Sequence, residues 1–188
     1  LSILLMLSYA LAGNANTGID AVKTVANYLG KSIDSMNEAM KLLAKQIVNS
    51  KNIFIIGRSE AFPTALESAL KIKEVSYLHA EGFAGGELKH GTIALVEPGT
   101  NVIVLATPQT QSHIMSNAIE MKSRGAYVIG IGCAKSDVYD FHIQIEEAQE
   151  ADPILLIVPV QLLAYYLALE LSLDPDKPRN LAKSVTVK

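Results

Sequence analysis

The chain has no tryptophan and a single cysteine, and only 19% of its 188 residues are charged. One cysteine excludes an internal disulfide framework and fits a reducing, cytoplasmic location. Cys133 itself sits in the apolar run VIGIGC and reads as a core residue. Basic residues are sparse as well. The net charge is −3, and no basic run or aromatic-basic interleaving occurs, so nucleic acid is not an expected partner. No Cys/His cluster has metal-ligand spacing and no G-x-G-x-x-G is present, so neither metal nor cofactor is expected. Uninterrupted apolar runs of membrane length are also scarce. LSILLMLSYALAG (1–13) is too short to span a bilayer and follows no basic region. Residues 153–171 are long enough, but Pro159, Gln161 and Glu170 interrupt them and flanking anchors are missing, which predicts a buried or interface helix and no membrane partner.

Hydrophobic residues make up 49% of the chain, enough for a large core and some apolar surface facing a partner. Residues 1–12 read as a helix that begins in mid-pattern, as the end of a preceding domain would. Turn formers occupy 13–18, and two helices follow over 19–30 and 32–50, with Gly30 at the end of the first. The rhythm then changes. NIFIIG (52–57), NVIVLAT (101–107) and AYVIGIG (126–132) are short apolar runs, and FHIQIE (141–146) alternates apolar with polar residues; all four predict strands. Helical stretches over 63–79, 112–125 and 153–171 alternate with them, Pro63 fitting a first-turn position. This alternation predicts an α/β fold with a mainly parallel sheet covered on both faces. Ligand crevices in such folds lie beyond the carboxyl ends of the strands, which directs attention to loops 58–62, 107–112 and 133–140.

The helix over 63–79 carries an unusual strip. Glu67, Lys71 and Glu74 share one narrow sector, flanked by Leu66, Leu70 and Tyr77 on one side and Ser68, Ile72 and Val75 on the other. A solvated stripe explains Glu67–Lys71 as an ordinary i,i+4 pair; Lys71 preceding Glu74 is the less favourable order and leaves Glu74 unexplained. The functional alternative places Glu74 in a pocket, poised by burial and by Lys71 to take a proton from carbon. Behind it, EGFAGGELKHG reads as a glycine-rich loop that presents His90, a candidate acid/base group at neutral pH. His79 reads as a helix-end histidine, and His113 and His142 receive no role. The tail LDPDKPRNLAKSVTVK is either a frayed end or a cationic lid carrying Lys183. ATPQTQSH offers Thr107, Thr110 and Ser112 but no glycine, a poor phosphate cradle.

Three stretches in order, GRSEAFPTALESALKIKEVSYLHAEGFAGGELKHG, PVQLLAYYLAL and DKPRNLAKSVTV, resemble the C-terminal sugar isomerase (SIS) domain of the glutamine–fructose-6-phosphate aminotransferase family from about Asn52 to the end. The resemblance implies an SIS-type, flavodoxin-like three-layer αβα sandwich. It implies a domain over 51–188 with a lid tail, preceded over 1–50 by the end of a first SIS half and linker helices. It further implies an activity: formation of glucosamine-6-phosphate from fructose-6-phosphate, with ammonia drawn from glutamine. By the same resemblance Glu74 is the base moving a proton between C1 and C2, and Lys71 tunes it. His90, supplied by the neighbouring subunit of a homodimer, opens the sugar ring. Lys183 engages the open-chain carbonyl, with Ala182 and Arg179 in the same substrate-binding tail. A sugar-phosphate-binding SIS module, or another SIS isomerase or deglycase, is the alternative reading.

The sequence departs from the family pattern at Ser59, where glycine is expected, at Gly85 in place of alanine, at Thr92 in place of proline, and at Lys188. The family's glutaminase domain and its Ser/Thr-rich phosphate loop in the first SIS half have no counterpart in these residues. The chain by itself is therefore expected to be inactive or very weak.

Overall fold

A computed structural model describes residues 1–180. Helix α1 (Ser2–Leu11) turns sharply at Gly13, where φ is +79°, into α2 (Ala15–Ile47). Five strands follow, β1 (Ile53–Gly57), β2 (Ala80–Ala84), β3 (Asn101–Ala106), β4 (Tyr127–Gly132) and β5 (Phe141–Gln144), with α3 (Ala61–Ser76) after β1, α4 (Gln111–Lys122) after β3, and α5 (Asp152–Glu170) last. The sheet is parallel throughout, in the order β2-β1-β3-β4-β5. Every residue of β1 and β3 is buried, as a sheet covered on both faces requires.

Alternation along the strands divides the core. Ile53, Ile55, Ile103, Leu105, Ile129 and Ile131 face a layer of α2, α3 and α5. Phe54, Ile56, Val102, Val104 and Val128 face α4 and two 3-10 turns, Gly85–His90 and Thr92–Leu95. The expected three-layer αβα sandwich is the observed one. Helix α5 is apolar and long enough to cross a membrane, with a mean hydropathy of 1.7 over its window. It lies instead between α2 and α3, with Leu155, Leu156, Val160, Leu163 and Leu167 in the core.

Several local expectations need correction. No break occurs at Gly30: α2 is one 33-residue helix that starts at Ala15, inside the expected 13–18 linker. Its stripe of Val25, Met36, Met40, Leu43 and Ile47 packs on the core across both expected helices, so burial overrides the cost of one exposed glycine, about 1 kcal/mol. Residues 80–84 are not loop but a fifth, edge strand in register with β1, Ile53 opposite Ala80 and Gly57 opposite Ala84. Gly82 permits it: a Cβ there would lie 2.8 Å from the backbone of Ala65 in α3. Helix α3 starts two residues before Pro63 and ends at Ser76, so His79 lies beyond the helix, bonded through Nδ1 to Asn52 Oδ1 at 2.9 Å. Cys133 is half-buried just past β4 rather than in the core.

Candidate active site

Helix α3 buries Ala65, Ser68, Ala69, Ile72 and Ser76 against the sheet and α5, which turns the Glu67, Lys71, Glu74 strip outward. Lys71 bridges the two carboxylates. Its Nζ lies 2.6 Å from Glu74 Oε2 and 3.3 Å from Glu67 Oε1. The Lys71 and Glu74 side chains are 29% and 27% exposed, against 48% for Glu67. Glu74 is thus half-buried on a helix face rather than enclosed, as far as the described residues define its surroundings. The hydrogen bond from Lys71 to Glu74 is the main cause of a raised Lys71 pKa; burial opposes it, and the bond to Glu67 adds to it. Lys71 is therefore a full cation at neutral pH.

His90 ends the turn Gly85–His90, and three contacts fix that turn to the body. Leu88 is fully buried. Lys89 Nζ reaches Glu120 Oε1 of α4 at 2.8 Å. Arg58, at the carboxyl end of β1, donates from Nε to Asn117 Oδ1 at 2.9 Å, and Gly85 and Gly86 pack over this pair. The result leaves the His90 ring 77% exposed, 3.9 Å from Glu87. Within one chain no hydrogen bond or ion pair among the described residues joins His90 to Lys71 or Glu74.

The order β2-β1-β3-β4-β5 places a topological switch point between β1 and β3, the usual ligand crevice of such sheets. Its polar groups satisfy one another. Thr107 Oγ1 donates to Glu60 Oε1 at 2.6 Å and lies 2.8 Å from Thr110 Oγ1. The Glu60 carboxylate thus takes the Thr107 hydroxyl, which an anion binding here would have to displace. Loop 133–140 borders a cleft of about 650 Å³ lined by Lys135, Ser136, Asp137 and His142. His142 stacks on Tyr139, and burial lowers its pKa. A groove of about 670 Å³ between α3 and α5 is lined by Glu60, Thr64, Glu67, Ile157 and Gln161 among others, and touches neither Lys71 nor Glu74.

Arg179 comes back to α3. Its backbone N–H donates to Tyr77 Oη at 2.6 Å and its guanidinium lies 4.1 Å from the centre of the Tyr77 ring. Tyr77 follows Glu74 by three residues, so the tail meets the end of the helix that carries the candidate base. Ala182 and Lys183 lie outside the described residues. The sequence reading missed Arg58, Asn117, Glu60 and the tail contact of Tyr77. Only Arg58 and Glu60, in the GRSEAF loop past a strand, carried a local signal.

The fold is that of an SIS protein: the SIS domain family matches residues 46–171, and the chain belongs to that family. Its similarities narrow further, to glutamine–fructose-6-phosphate aminotransferases (isomerizing) and the C-terminal SIS half of those enzymes. The Pyrobaculum aerophilum enzyme is 47% identical over 171 residues, 88% of this chain and 28% of the relative. The Bacillus subtilis enzyme is 45% identical over 177 residues, 92% and 30%. The chain thus spans about 30% of the length of these relatives. The solved C-terminal domain of glucosamine-fructose-6-phosphate aminotransferase from Francisella tularensis superposes with a TM-score of 0.79 at 24% identity, over 87% of this chain and 47% of that one, a likeness of fold. A glucosamine-6-phosphate deaminase from Thermotoga maritima superposes at 0.73 with 26% identity, over 99% and 56%.

Proposed function

We propose that this chain is an isomerase-domain fragment of a cytoplasmic enzyme that forms glucosamine-6-phosphate from fructose-6-phosphate, residues 1–50 leading from a first SIS half and 51–188 forming the second. The observation that carries this reading is the Lys71–Glu74 contact of 2.6 Å on a half-buried helix face, in a chain resembling those aminotransferases over most of its length. Glu74 is the base that shuttles a proton between C1 and C2. Lys71 orients that carboxylate through the 2.6 Å contact. Lys183 and Ala182 meet the substrate, and Arg179 directs the tail toward it.

His90 acts on the ring oxygen of a sugar bound by the neighbouring subunit of a homodimer. Its exposure and its separation from Glu74 contacts within one chain support a role in trans. Phosphate binding and the supply of ammonia fall to a first SIS half and a glutaminase domain, in keeping with the carboxylate that fills the switch point here. The test is Glu74→Gln in the protein joined to those parts. Aminotransferase turnover and exchange of the substrate C1 proton with solvent should both fall by about 10²–10⁴-fold, the usual worth of a positioned acid/base group. Retention of either within a few-fold would refute the assignment.

A further inference from the structure

We propose that Tyr77 is the anchoring post of the C-terminal tail, a positioning residue that holds Arg179 beside the Glu74 helix through its hydroxyl and its ring together. The contact stands on its own geometry; its catalytic consequence rests on the function proposed above.

The first indication is conformational. Tyr77 closes α3 in the left-handed region, with φ +61° and ψ 8°. That position favours glycine, which alone adopts it without a Cβ clash, with asparagine next. An aromatic residue there is strained, and strain of this kind persists where the side chain is needed. The second indication is what the side chain does. The hydroxyl accepts the Arg179 backbone N–H at 2.6 Å while the ring face receives the Arg179 guanidinium at 4.1 Å. Main chain and side chain of one tail residue are thus held by one tyrosine.

The third indication is the path between them. After α5 the chain does not run free. Leu173 N–H donates to Ala168 O at 2.9 Å, and Ser172 adopts a left-handed φ of +58°. Asp174 then organises a turn by accepting from Asp176 N–H on its side chain and from Lys177 N–H on its carbonyl. Pro175 and Pro178 restrict the remaining backbone freedom. This connection delivers Arg179 to the end of α3, three residues past Glu74 and four residues before Lys183 in sequence.

Trypsin reads the post directly. Cleavage at Arg179–Asn180 requires the guanidinium to leave the ring, so its rate reports the open fraction when closing outpaces cutting. Loss of the hydroxyl in Tyr77→Phe should raise that rate about fivefold. Loss of both contacts in Tyr77→Ala or Tyr77→Gly should raise it about tenfold to thirtyfold. Tyr77→Gly separates anchoring from helix capping, because glycine relieves the left-handed strain. Its Tm should hold or rise while the tail is released. In the complete enzyme the same variant should lower kcat, with Tyr77→Phe intermediate.

Wild-type cleavage rates in the Gly and Ala variants would overturn the proposal, as would rates that merely follow Tm. If the complete enzyme shows no aminotransferase turnover at all, the functional reading fails while the trypsin result still decides the post.

Discussion

Replacing Lys71 with methionine removes the cation that Glu67 and Glu74 share while keeping most of the aliphatic stem. The Glu74 contact is a charge-assisted hydrogen bond of 2.6 Å between groups a little over one quarter exposed. Such a bond is worth about 1.5–3 kcal/mol when buried and about 0.2–1 kcal/mol at the surface, so about 1 kcal/mol fits this intermediate exposure. The Glu67 contact, longer and half-exposed, adds about 0.2–0.5 kcal/mol as an i,i+4 pair with glutamate first. A total near 1–1.5 kcal/mol should lower Tm by roughly 2–6 °C in a chain of this size. The assay is urea unfolding followed by circular dichroism on wild type, Lys71→Met, Glu74→Gln and the double variant. The coupling between the two sites should come to about 1 kcal/mol.

The Lys71 pKa is raised by its bond to Glu74, so this stabilisation is complete below the ordinary lysine value of 10.5 and fades only as pH climbs through the raised value. The coupling should therefore be constant between pH 6 and 9, within about 0.3 kcal/mol, the usual additivity error. A coupling below that error, or a stabilising Lys71→Met, would refute the view that Lys71 holds Glu74.

Two further outcomes follow from local geometry. Ser59 sits at φ +48°, left-handed backbone at a position where the family resemblance implies glycine. Ser59→Gly should stabilise the protein by about 0.5–1 kcal/mol, the strain relieved less the glycine entropy, as read by the shift in urea midpoint at constant slope. Asp152 is 2% exposed, accepts the Ala148 N–H at 2.6 Å through Oδ1 and has no partner for Oδ2 among the described residues, and burial raises its pKa above the ordinary 3.8. The folded state therefore binds the proton more tightly, and Asp152 should lower stability as pH rises through the interval just above 3.8. Asp152→Asn, which keeps the acceptor and loses the charge, should remove that slope; an unchanged slope in the variant would show another group to be responsible.

Local pattern alone made much of this molecule legible. Three of the five strands are apolar runs and a fourth, β5, alternates apolar with polar residues; the Glu67, Lys71, Glu74 strip is a consequence of helical period, readable from spacing within eight residues. The GRSEAF, KHG and PRNLAKSVTV motifs carried the family resemblance in the same way. What depended on partners distant in sequence was not legible. The edge strand β2, AEGFA, which has no β-branched residue, is strand because β1 offers it a ladder and because Gly82 lets it approach α3. The continuity of α2 through Gly30 comes from a core that no window of the sequence contains. Arg58 meets Asn117 across 59 positions, and Tyr77 meets Arg179 across 102. Periodicity dictates which residues share a face; which faces and chain ends meet is a matter of packing, and packing alone brought the tail to the end of the helix that bears Glu74.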